Sequence, residues 1–179
     1  MLKEFKKTGE HFLPDQSNLY EVQVNLERYL FALPYAKDKI VLDAGTGSGM
    51  GTYLYSLVAN KVFSVDYDKE AHEYAQQFPI DPRKVQFLEK NFETDLLPEH
   101  DITIALEVIE HLEHPDFFLS QLKSKELVFS VPLNSLAVSS FHKYDFKTIA
   151  DVKELIGRYY EADYRIQEGK WVLGHGTRI

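Results

Sequence analysis

Three glycines alternate with hydroxyl residues in Gly45-Thr46-Gly47-Ser48-Gly49, directly behind the apolar run Val41-Leu42-Asp43-Ala44 and ahead of a helix-period segment opening at Met50. Glycine is needed where the backbone must take a positive φ, or where a ligand lies against main chain with no room for a side chain. About twenty residues on, Asp66 closes a second apolar run, where a carboxylate can accept hydrogen bonds from both hydroxyls of an adenosine ribose. A small molecule is therefore expected against this loop.

Two cofactor classes share that layout, and spacing separates them. The dinucleotide fingerprint G-x-G-x-x-G needs its third glycine at position 50, which is Met50. The glycines fall instead in the G-x-G-x-G spacing of S-adenosylmethionine sites. Asp43 points the same way: a carboxylate there would repel a pyrophosphate but can hold the loop or receive the ammonium group of a methionine moiety.

A second constellation lies further on. Glu107, Glu110 and His111 stand at i, i+3 and i+4, so one helical turn would set all three on one side. With His142 they offer the carboxylate and imidazole donors that divalent ions accept. Histidine is also the side chain that titrates nearest neutrality, as a base for a hydroxyl nucleophile requires.

Strands and helices must carry these groups. From Lys39 onward short β-branched runs alternate with helix-period segments, the signature of a parallel sheet covered by helices. Strands are expected at Lys39–Asp43, Lys61–Asp66, Lys84–Leu88, Asp101–Leu106, Glu126–Val131, Tyr164–Gln167 and Trp171–Leu173. Helices are expected near Met50–Val58, Lys69–Phe78, Pro115–Leu122 and Phe146–Ile156, with an amphipathic segment at about Leu19–Leu30. The link from Asn91 to His100 is short for a parallel crossover and has room for a single helical turn at most. The fold class is α/β: a Rossmann-like, doubly wound, mostly parallel sheet of about seven strands with helices on both faces. A single domain over 1–179 is expected, with a helical lead-in at 1–38 and the sheet core at 39–179.

Composition narrows the partners. The 179 residues are 44% hydrophobic and 13% aromatic, ample for a core, and 28 acidic against 20 basic residues give a net charge of −8. That balance disfavours nucleic acid and anionic lipid, whose binding rests on neutralising phosphate. There is no cysteine, which excludes disulfides, thiolate zinc sites and cysteine nucleophiles. No apolar stretch approaches membrane-spanning length, and Lys3, Glu4, Lys6 and Lys7 interrupt any leader, so membrane insertion is not expected and a cytoplasmic setting is. The oligomeric state is left open.

Taken together, these motifs resemble the class I S-adenosylmethionine-dependent methyltransferases, within them the small domains of glycan and O-antigen biosynthesis in the type 11, UbiG-like group. The resemblance runs over nearly the whole chain. It rests on Gly9-Glu10-His11-Phe12-Leu13-Pro14 with Glu27-Arg28-Tyr29-Leu30-Phe31-Ala32, on the glycine loop, and on Val65-Asp66-Tyr67-Asp68. It continues through Glu107-Val108-Ile109-Glu110-His111-Leu112, Ser130-Val131-Pro132-Leu133-Asn134 and Phe141-His142-Lys143-Tyr144-Asp145-Phe146.

The resemblance implies that Asp43, Gly45 and Gly47 line the methionine end of S-adenosyl-L-methionine, that Thr46 and Gly49 also bind the cofactor, that Asp66 binds the ribose and that Tyr67 packs beside the adenine. Asn91, where many relatives have aspartate, and Phe92 would frame the base, and Glu107 would face the reactive end. His142 is expected as the catalytic base, with His111 positioning the acceptor and Glu110 or Asp145 orienting the imidazole. The expected reaction moves a methyl group to a small-molecule or glycan hydroxyl and leaves S-adenosyl-L-homocysteine. Trp171 is expected in the core. No metal is expected, because the E-V-I-E-H-L string is common among relatives without one. Two alternatives stand beside this: a metal-assisted RNA 2′-O-methyltransferase using Glu107, Glu110, His111 and His142, and a catalytically silent S-adenosylmethionine-binding or scaffold protein.

Overall fold

The computed structural model describes residues 12–135 and 139–179. The chain gathers into two compact units that meet in sequence between Asn91 and Phe92.

The first unit holds α1 (Leu19–Ala36), β1 (Ile40–Ala44), α2 (Met50–Ser56), β2 (Lys61–Asp66), α3 (Lys69–Ala75) and β3 (Val85–Glu89). Its strands are parallel in the order β3-β2-β1, with Ala44 opposite Val65 and Asp66 opposite Glu89. Val41, Leu42, Val62 and Val65 are fully buried, as expected for parallel strands covered by helices. An Asn18 capping box starts α1: the Asn18 side chain accepts from the Glu21 amide at 2.9 Å and Glu21 accepts from the Asn18 amide at 3.1 Å. The helix runs six residues past the expected end and carries Pro34 inside it. Val24, Arg28, Ala32 and Ala36 form one buried face at four-residue spacing, and that packing outweighs the one helical hydrogen bond proline removes.

The second unit holds β4 (Ile102–Leu106), a 3-10 turn (Ile109–His111), α4 (Pro115–Gln121), β5 (Glu126–Pro132), α5 (Ile149–Ile156), β6 (Tyr160–Gln167) and β7 (Trp171–Arg178). The order is β4-β5-β7-β6; β4 and β5 are parallel, and β7 runs against both its neighbours. Pro115 opens α4 at its first turn, where its missing N–H removes no helical bond. No helix forms between β3 and β4. Seven strands, mostly parallel, with β7 antiparallel to both β5 and β6, interleave with helices and make an α/β Rossmann-like fold.

Three boundaries differ from expectation. Helix α5 begins at Ile149 because the Thr148 amide donates to Asp151 at 2.7 Å, while Phe146 bridges to Leu133. Strands β6 and β7 are eight residues each rather than four and three, joined by Glu168, Gly169 and Lys170; the Lys170 amide closes the turn on the Gln167 carbonyl at 3.0 Å, and the two residues between, Glu168 and Gly169, are both at positive φ. Gly174 and Gly176 lie within β7, where a Cβ would meet the Phe129 ring at the first and the Cβ atoms of Tyr160 and Ala162 at the second. A Cβ on Gly174 would sit 2.3 Å from the ring of the fully buried Phe129.

That contact yields a stability prediction. Gly174→Ala should cost about 1–3 kcal/mol through overpacking, seen as a lower urea midpoint with an unchanged slope. An unchanged midpoint would mean the ring has room to move.

Candidate active site

Behind β1 the chain turns through three left-handed glycines, Gly45 at φ 75°, Gly47 at 49° and Gly49 at 82°. The glycine pattern is therefore a backbone requirement in its own right. Gly49 is doubly constrained, since a Cβ there would meet the Ala75 Cβ at 2.4 Å. The loop is tied to β2: the amides of Gly45 and Thr46 donate to the Val65 carbonyl at 2.8 and 3.2 Å. The Gly47 amide donates to Asp66 Oδ2 at 3.0 Å, and the Asp68 amide to Asp66 Oδ1 at the same distance. Asp66 is 4% exposed, whereas neighbouring Tyr67 is 59% exposed.

Beneath the loop runs a chain of hydroxyls. Thr52 Oγ1 donates to Asp43 Oδ2 at 2.5 Å, and Ser64 Oγ lies 2.8 Å from Thr52 Oγ1 and 2.6 Å from Thr46 Oγ1. Each hydroxyl has one proton to give. With that of Thr52 on Asp43, Ser64 donates to Thr52 and Thr46 to Ser64. Sequence reasoning missed Thr52 and Ser64; the available signal was a hydroxyl inside an otherwise apolar strand, Lys61–Asp66, and another in the first turn of α2. Burial pushes the Asp43 carboxyl up to about 7, opposed by the Thr52 hydrogen bond and reinforced by the charge of Asp66.

Asn91 is exposed just past β3. Phe92 begins the second unit with its ring buried edge-on against Phe118, centroids 5.3 Å apart. His72, on α3, is buried with its ring 5.6 Å from Phe87, and its Nε2 has no hydrogen-bond partner among the described residues. Burial lowers its pKa against the pull of Asp66, Glu89 and Asp68.

In the second unit the expected helical turn does not form. Glu107 adopts φ 54° and folds back on β5, where its Oε1 accepts from Ser130 Oγ at 2.6 Å. The following residues make a 3-10 turn, so Glu107 leaves the face shared by Glu110 and His111, and His142 joins that face instead. Glu110 is fully buried. Its carbonyl accepts the amides of Lys143 and Tyr144 at 2.7 and 3.0 Å, drawing the 141–144 segment onto the turn. His111 and His142 meet ring edge to face at 89° with centroids 4.8 Å apart. His111 Nε2 lies 3.9 Å from Glu110 Oε1, and His111 Nδ1 lies 3.3 Å from the Phe141 carbonyl. Asp145 accepts from the Ser135 amide at 3.0 Å. Burial and the neighbouring His111 lower the His142 pKa, while Glu107 and Asp145 oppose them.

Several further side chains take structural places. His114 N-caps α4 and its amide donates to Glu93 at 2.6 Å. His100 bridges the Pro98 carbonyl and Thr103, each at 2.7 Å. His175 pairs with Glu126 at 2.9 Å. Trp171 opens β7, partly buried, opposite Pro132 and Gln167. Of the N-terminal motif, Gly9, Glu10 and His11 lie outside the described residues, Phe12 sits 6.5 Å from Tyr29, and Leu13 is fully buried against Ala71.

Comparison with known proteins places this geometry. Residues 42–124 match the sequence model of a family described as a methyltransferase domain. A Mycobacterium tuberculosis protein named a probable S-adenosylmethionine-dependent methyltransferase is 31% identical over 117 residues, which cover 59% of this chain and 38% of that protein. The chain thus spans well under half the length of the curated relatives it matches. Among solved structures, the N-methyltransferase NodS from Bradyrhizobium japonicum WM9 with S-adenosyl-l-homocysteine superposes with a TM-score of 0.73 at 14% identity, over 91% of this chain and 89% of that one. A DhpI–SAH complex gives a TM-score of 0.75 at 14% identity, over 92% and 89% of the two chains. At such identity the likeness shows the fold.

The buried Asp43 makes stability pH-dependent. Its folded-state pKa lies above the unfolded 3.8, so between those values the folded chain binds more protons and stability falls as pH rises through about 7. Asp43→Asn removes that titration, so urea unfolding should show the variant gaining on the native protein by a few kcal/mol from pH 5 to pH 8. An equal difference at both pH values would place the charge of Asp43 elsewhere.

Proposed function

We propose that the chain is a class I methyltransferase that binds S-adenosyl-L-methionine and transfers the methyl group to a hydroxyl of a small-molecule or glycan acceptor. The observation that carries this reading is the Asp66 carboxylate on the amide of a left-handed glycine loop, with Asp43 buried just ahead of it. Gly45, Thr46, Gly47 and Gly49 form the floor for the methionine moiety, whose ammonium group meets Asp43. Asp66 accepts from the ribose hydroxyls through lone pairs its two amide bonds leave over. Tyr67 offers an exposed ring to the adenine, Asn91 and Phe92 frame its edge, and Glu107 faces the reactive end. The setting proposed is the cytoplasm.

The sulfonium already activates the methyl carbon. What remains is to align the acceptor in line and to remove its proton as the new C–O bond forms and the C–S bond breaks. His142 takes that proton, His111 positions the acceptor, and Glu110 orients the imidazoles. The low pKa that burial gives His142 keeps it neutral and able to accept near pH 7. S-adenosyl-L-homocysteine leaves as product.

Binding of either sulfur compound at a hundred times its dissociation constant should stabilise the protein by about 2.7 kcal/mol, read as a raised Tm, with no shift from NAD. Asp66→Ala should weaken binding more than tenfold by removing charge-assisted bonds. A shift with NAD alone would overturn the cofactor.

His142→Ala should keep cofactor affinity within a few fold while kcat falls by ~10²–10⁴. Normal turnover by that variant would credit the reaction to alignment instead. A chelator should leave activity intact; loss restored by added metal would require a Lewis acid in the step.

A further inference from the structure

We propose that Glu110, His111 and His142 form a site for one divalent transition ion of the zinc(II) or cobalt(II) class. Two imidazoles and a carboxylate are a donor set that such borderline ions prefer over magnesium or calcium. One ligand atom from each residue lies within 4.8 Å of the others, and among the described residues no other set of three or more histidines and carboxylates is gathered in this way. The 3.9 Å between His111 Nε2 and Glu110 Oε1 is too long for a hydrogen bond. It is near the ~3.4 Å edge that two ligands share around a tetrahedral ion bonded at about 2.1 Å, so this edge needs only a small contraction.

The orientation of the imidazoles supports the same reading. With Nδ1 of His111 directed at the Phe141 carbonyl, that nitrogen carries the proton, and the Nε2 lone pair is turned toward the Glu110 carboxylate. Fixing the far ring nitrogen on a carbonyl is how metal-bound histidines are held. A second, separate feature is His142 Nδ1, a buried nitrogen with no hydrogen-bond partner among the described residues. The frame is already built from main chain: the Glu110 carbonyl clamps the amides of Lys143 and Tyr144, and Asp145 holds Ser135.

The consequence for turnover rests on the reading of His142 as base. An ion on this triad occupies the imidazole lone pairs, so metal and acceptor proton compete, and the loaded protein is the slower one. Zinc inhibition reversed by chelator is therefore expected, alongside full activity of the stripped protein.

The test uses the full chain stripped with chelator, titrated with cobalt(II) and followed by its visible absorption, and with zinc(II) by calorimetry. One equivalent should bind. His111→Ala and His142→Ala should each weaken binding at least tenfold, while His175→Ala, outside the cluster, should bind as the native chain does. Glu110→Gln should do the same as the histidine variants, and the latter keep the test decisive if loss of the buried carboxylate unfolds the protein. No uptake at millimolar ion, or unchanged affinity in both His111→Ala and His142→Ala, would overturn the site. Thermal shift with S-adenosyl-L-homocysteine on the same stripped protein separates this from the methyl-transfer reading: ion uptake without that shift would sink the transferase and leave the metal site standing.

Discussion

Asp66 is the group on which the first unit's geometry turns. Its two carboxylate oxygens each hold one main-chain amide, that of Gly47 in the loop after β1 and that of Asp68 at the start of α3. Hydrogen bonds to an ionised group are worth about 1.5–3 kcal/mol each, enough to offset much of the backbone entropy that glycine loses on ordering. The parallel register makes the contact available, because Ala44 stands opposite Val65, so the loop leaves β1 beside the residue that precedes Asp66. One acid at the end of one strand thereby fixes the neighbouring strand's exit loop before any ligand arrives, and pre-organisation of this kind lowers the ordering cost of binding.

The same unit also buries a second carboxylate. Asp43 and Asp66 both lie in the interior, and the charge of Asp66 adds to the cost of ionising Asp43. The protein manages Asp43 with a directed row of hydroxyls, Thr46 to Ser64 to Thr52, that ends on its Oδ2. A site that buries two carboxylates is suited to a ligand that brings positive charge. The proposed cofactor carries an ammonium and a sulfonium, and a dinucleotide carries a pyrophosphate that the same carboxylates would repel.

Much of this was legible in the sequence, and the rest was hidden for physical reasons. The glycine spacing, the Asp66 offset and the strand–helix alternation are local patterns, and the first five strands and the helices from α2 onward stand within a few residues of expectation. The length of α1 was not readable, because Pro34 looks like a stop and only tertiary burial of Ala32 and Ala36 overrides it. The far half of β7 was not readable since Gly174 and Gly176 carry no strand signal; their reason is the close approach of the Phe129 ring and the Tyr160 Cβ on the neighbouring strands. At the second cluster the helical spacing of Glu107, Glu110 and His111 suggested one face. The left-handed turn at Glu107 breaks it, and long-range clamping of the 141–144 segment by the Glu110 carbonyl supplies His142 in its place. Neither a positive φ at glutamate nor a contact across thirty residues has a signature in spacing.

The central claim is that a sulfur-bearing adenosine cofactor sits on the loop that Asp66 holds. Amide nitrogen–proton NMR spectra of the labelled protein, recorded while S-adenosyl-L-homocysteine is added, test it most directly, since Gly47 and Asp68 report from the two sides of one carboxylate. The account predicts that the largest shifts fall on Gly45, Gly47, Tyr67 and Asp68, with saturation at a single equivalent. Shifts that leave these amides in place and gather on other residues would contradict it.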